Sequence, residues 1–141
     1  MKIDIKQTVE VIGLVSVVAS LTFVGFEIRQ NTVVARAQAR DSISDKLINW
    51  ELMVATDQAA SEVWSKGNRG DPLERDGEYS SYQLIVNAQF SMWENEFYQY
   101  KLGLFEEEEF IARMVRWERS IVGLAGYRDQ WNRQRNVYER V

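Results

Sequence analysis

The sequence predicts an all-α protein in which one N-terminal transmembrane helix is followed by a small helical domain of about five helices. Three observations lead there. Proline occurs once in 141 residues, at Pro72, and an interior proline costs a helix about 3 kcal/mol, so its scarcity suits long helices. An uncharged run of sixteen residues lies near the N-terminus, from Val11 to Phe26. Beyond it, apolar side chains recur at three- and four-residue intervals and are interrupted mainly by glycines.

The apolar run reads Val-Ile-Gly-Leu-Val-Ser-Val-Val-Ala-Ser-Leu-Thr-Phe-Val-Gly-Phe and is bracketed by Glu10 and Glu27. As a helix it spans about 24 Å, short of a hydrocarbon core of roughly 30 Å. Extending it from Thr8 to Ile28 makes up the difference, and Glu10 then sits at the positive end of the helix dipole. A surface helix would show a polar side, whereas this one is apolar all round. The competing readings are a buried core helix and a cleaved signal peptide. Ala35-Arg36-Ala37 resembles a cleavage site, but Glu27 and Arg29 separate it from the apolar run. The chain therefore divides into an anchor over 1–30 and a helical domain over 31–141, with the lipid bilayer as the first partner.

Flanking charge orients the span. Lys2 and Lys6 precede it, while Arg29, Arg36, Arg40 and Lys46 follow it. The excess predicts a cytoplasmic C-terminal domain, and those four basic side chains stand where they can meet anionic headgroups. Within the span, Gly13, Ser16, Ser20 and Glu27 fall within about a 60° arc. Small residues allow close helix approach in lipid, and serines can hydrogen-bond across the contact. This face is expected to mediate a homo-oligomeric contact or to line a pore. The alternative is an ordinary lipid-facing span.

The domain reads as follows. A helix continues from Asn31 to about Ala55, with Ile43, Leu47, Trp50, Met53 and Val54 at helical spacing. A second runs from the N-cap Asp57 to Lys66. Gly67 to Pro72 is the strongest loop signal; its Arg69-Gly70-Asp71 is a weak adhesion signal, three residues in a loop. A third helix runs from about Glu78 to Leu102, with Val86, Phe90, Trp93, Phe97 and Tyr100 on its apolar face and Gly103 ending it. The fourth spans about 105–122 and carries Phe110, Met114, Trp117 and Ile121 on one side. Glu106, Glu107, Glu108 and Glu109 open it, either as a cation site or as complements to the helix dipole, the second being the simpler account. Gly123 and Gly126 bracket a break before a last helix from about Tyr127. Trp50, Trp64, Trp93, Trp117 and Trp131 place one tryptophan in each domain helix. They are either one core anchor per helix or an aromatic ligand cage.

Composition removes several chemistries. Histidine and cysteine are absent, which excludes Ser-His-Asp and Cys-His catalysis, the usual zinc sites and His-ligated haem. The net charge of −4 gives no electrostatic case for nucleic acid. No glycine-rich phosphate loop or metal-ligand spacing is present, so no cofactor is expected. The candidate buried polar pair is Glu96 with Tyr100, one turn apart near the apolar stripe. It reads as an acid/base or ligand contact, or as a packing carboxylate paired with Arg113, Arg116 or Arg119.

Gly25-Phe26-Glu27-Ile28-Arg29-Gln30-Asn31-Thr32, directly after the apolar span, resembles a largely uncharacterised group of small bacterial single-span membrane proteins. The stretches Trp93 to Leu104 and Gly126-Tyr127-Arg128-Asp129-Gln130-Trp131 are similar to that group too. Compared with it the chain stops early, so the group's last segment is expected to be missing. The resemblance implies a bacterial inner-membrane location and implies no activity. The functional expectation is a non-enzymatic assembly or interaction role, by self-association or as an accessory subunit of a membrane complex. A homo-oligomeric channel lined by the small-residue face is the alternative, and a ligand-sensing or hydrolytic domain is the third reading.

Overall fold

The computed structural model describes residues 5–138, and its helices account for nearly all of them. Among the described residues there are five helices and no strand: α1 (Ile5–Thr56), α2 (Gln58–Arg69), α3 (Glu78–Lys101), α4 (Glu107–Gly123) and α5 (Ala125–Tyr138). The protein is all-α. The apolar run and the first domain helix are one element, because nothing between Phe26 and Thr56 breaks helical geometry: the stretch holds no proline and no glycine. Two compact units divide the chain between Gln38 and Ala39, further along than the boundary at 30/31 suggested by composition.

The first unit consists of α1 up to Gln38. Its apolar stretch is long and hydrophobic enough to cross a membrane, and none of that stretch is buried. Leu14, Leu21, Phe23 and Phe26 are among its exposed side chains. A core helix of a water-soluble globule buries its apolar surface, and this one does not.

The second unit is built on short connections. Asp57 caps α2, its carboxylate accepting the Ala60 N–H at 3.0 Å. The helix does not stop at Lys66. It runs through Gly67 to Arg69 and ends on Gly70, whose φ of 80° is left-handed. The Gly70 and Asp71 N–H groups donate back to the Gly67 and Lys66 carbonyls, both at 3.0 Å, the Schellman pattern. Gly103, with φ 71°, plays the same part after α3. Arg69 and Asp71 form an ion pair with each other, so this tripeptide is tied into the helix end. The break between α4 and α5 is a single extended residue, Leu124. Gly126 lies inside α5.

The core gathers Val63 of α2, Tyr82, Val86, Phe90 and Trp93 of α3, and Tyr127 of α5. Helix α3 touches α2, α4 and α5 and therefore supplies most of it. The second half of α1 joins through side chains: Ala39, Ile43 and Val54 are buried, and the Trp50 indole N–H donates to the Ile85 carbonyl at 3.1 Å. Gly67 and Gly126 permit α2 and α5 to touch. A Cβ on Gly126 would stand 2.2 Å from the Gly67 carbonyl oxygen, and one on Gly67 would stand 2.3 Å from the Tyr82 ring.

Candidate functional site

Helices α3, α4 and α5 leave between them a concave space of about 340 Å³. Its wall on α3 is Phe90, Trp93 and Phe97; on α4 it is Met114, Trp117 and Ile121; on α5 it is Trp131 and Tyr138. Trp93 and Trp117 stack, with ring centroids 5.8 Å apart and planes at 20°. Trp131 and Tyr138 stack in turn, at 6.3 Å and 11°, and Phe90 meets both edge-on. Tryptophans 93, 117 and 131 therefore pack against the core on one side and line this space on the other. Trp50 and Trp64 instead pack edge to face with each other, at 5.0 Å.

A polar chain fixes one wall of this space. The Trp117 indole N–H donates to Glu96 Oε2 at 2.9 Å. Glu96 Oε1 accepts from Arg113 Nη1 at 2.7 Å, and Arg113 Nη2 donates to Glu109 Oε1 at 3.1 Å. Glu109 Oε2 in turn accepts from Arg40 Nη2 at 2.6 Å. Five side chains thus link α1, α3 and α4. Burial pushes the Glu96 carboxyl above the usual carboxylate range, against the pull of Arg113 and the Trp117 N–H. Burial opposes the ionisation of Glu109 as well, but the hydrogen bonds from Arg40 and Arg113 prevail, and its carboxyl lies below that range.

The residues singled out from the sequence separate into several places. Glu96 is buried as expected and paired with Arg113. Tyr100 is half-buried and stacks flat on Phe110, centroids 4.1 Å apart, as an aromatic packing partner. Glu109 of the acidic run is held by two guanidiniums, while Glu106, Glu107 and Glu108 are exposed at the start of α4. Among the described residues no group of three or more acidic side chains is arranged to hold a metal ion. Arg29, Arg36, Arg40 and Lys46 are all exposed, and Arg40 is engaged with Glu109. Gly13, Ser16, Ser20 and Glu27 are exposed along one helix. The Ser16 and Ser20 hydroxyls donate to the Ile12 and Ser16 carbonyls, both at 2.8 Å, so their protons are satisfied within the helix.

No family model, curated protein or solved structure matches this chain. Its function therefore has to follow from its own geometry. Residue spacing does not mark the aromatic cavity, because Phe90, Trp93, Trp117 and Ile121 stand at the intervals of ordinary core positions. The link from Arg40 to Glu109 joins residues 69 apart in sequence, and no local pattern signals it.

Proposed function

We propose that this protein is a single-span membrane protein whose helical domain serves assembly without catalysis, by self-association or as an accessory subunit of a membrane complex. One observation carries the reading: a helical stretch apolar on every face, with none of its surface buried by its own chain. Water would penalise that surface at about 25 cal/mol per Å², and a bilayer removes the penalty. The four basic residues after the span support a cytoplasmic domain, and the resemblance to bacterial single-span proteins supports the inner membrane. The Gly13, Ser16, Ser20 and Glu27 face supports a packed helix contact. Serine hydroxyls bonded to their own helix present little polar surface, which favours close packing over a hydrated pore.

Two measurements on the full chain test this. After alkaline carbonate washing, the protein is expected to stay with the membrane fraction, and a Val17→Asp/Val18→Asp variant is expected to be released. Light scattering of the protein in neutral detergent is expected to give a mass above one chain, falling to one chain for Gly13→Ile/Ser20→Leu. Release of the unaltered chain by carbonate would overturn the membrane reading. A strictly monomeric unaltered chain would remove self-association and leave only the accessory role.

A further inference from the structure

The cavity between α3, α4 and α5 has a feature that core packing does not need. Its walls are aromatic and aliphatic, and two acidic residues stand at its border: Glu94, half-buried next to Trp93, and Glu118, exposed next to Trp117. The stacked pair of tryptophans is therefore followed, on each helix, by a negative charge. Among the described residues neither carboxylate forms an ion pair, and no lysine or arginine lines the space. Burial, and after it the Glu94 charge, pushes the Tyr138 hydroxyl up, against a hydrogen bond with Ser91. A groove of about 400 Å³ beside Val63 and Ile85 offers no comparable set; its one carboxylate, Asp57, is already the cap of α2.

Aromatic faces carry negative electrostatic potential, and a cation held over them is stabilised most when water is excluded. Carboxylates at the edge add direct attraction, and the volume falls in the range of pockets that bury small ligands. We propose that this cavity is a binding site for a soluble organic ammonium ion with an apolar body, the body held in the aromatic space and the cationic end at its border by the Glu94 and Glu118 carboxylates. Trp117 is a positioning residue as well as wall, since Glu96 fixes the plane of its ring through the indole N–H. The proposal does not rest on the membrane reading.

The test uses the full chain in neutral maltoside micelles, with phenyltrimethylammonium chloride as the probe and ligand-observed saturation-transfer NMR as the readout. Saturable binding is expected. Glu94→Gln/Glu118→Gln keeps the shape and removes the charge, and it is expected to weaken binding by about tenfold or more with an unchanged thermal melt. Met114→Trp, which fills the space from a half-exposed position, is expected to abolish binding. The neutral isostere tert-butylbenzene, in which carbon replaces the charged nitrogen, is expected to bind more weakly than the probe. Absence of saturation, equal affinity in the double Gln variant, or a response only to phosphocholine detergent, meaning a lipid headgroup, would each overturn the proposal.

Discussion

Glu78 and Glu96 are both buried carboxylates on α3, and their surroundings drive them in opposite directions. At Glu78 burial raises the carboxyl, but hydrogen bonds from Arg75 and Lys66 outweigh it and hold the group down to about 2. At Glu96 burial wins over Arg113 and Trp117. The consequences for stability have opposite signs. A carboxyl at about 2 when folded, against an ordinary 4.5 when unfolded, takes up a proton on unfolding. Its contribution is complete above pH 4.5 and is lost as pH falls toward 2. Glu96, raised when folded, favours the folded state as pH falls and costs stability as pH rises through its own value. Thermal melts of the protein in detergent between pH 5 and pH 2.5 are therefore expected to show falling stability on the acid side. Glu78→Gln is expected to lower stability near neutral pH and to flatten that acid loss. An unchanged acid limb in the variant would show that other groups cause it.

At the scale of elements, the approach of α2 to α5 depends on two hydrogens. Gly67 lies in the last turn of α2 and Gly126 in the first turn of α5, where alanine would ordinarily be accepted as readily as glycine. Here the added methyl at 126 would meet a backbone oxygen, which cannot turn aside as a side-chain tip can. Gly126→Ala is expected to destabilise by about 1 to 3 kcal/mol, read as a lowered melting temperature. Gly123→Ala, also helical but facing open space, is expected to be neutral or slightly stabilising. The contrast between two glycines three residues apart separates close packing from simple propensity. Gly67 also shows how a contact surface can resemble a loop start. A glycine after an amphipathic stretch looks like a helix stop, and only the neighbouring helix shows that it is a contact surface. Gly70 and Gly103, by contrast, stand where left-handed backbone ends a helix.

At the scale of the molecule, one continuous helix carries both the apolar stretch and the first wall of the domain. If that stretch is inserted, a cytoplasmic domain requires the N-terminus outside. A phosphatase reporter fused after Val141 is then expected to be inactive, and a cytoplasm-active fluorescent reporter at the same place to be bright. High phosphatase activity would reverse the orientation while leaving insertion intact. The all-α class, the apolar stretch, the Asp57 cap and the burial of Glu96 are legible in the sequence, and so is a connection around Pro72, though not its bounds, which run from Gly70 to Gly77. Each is local: periodicity, capping and hydropathy are properties of neighbouring residues along one chain.

What tertiary structure alone decided is non-local. Which arginine pairs with Glu96, why Glu109 is held by Arg40, and that three tryptophans share one cavity all depend on how helices cross. Residue spacing within a helix does not encode that crossing. Side chains far apart in sequence are brought together by the packing of small residues at one point, here Gly67 against Gly126, and by bulk at another. The sequence by itself determined the elements and the apolar stretch, because hydrogen bonding and hydration act locally. The fold decided the site, because a cavity belongs to the space between elements and to none of them.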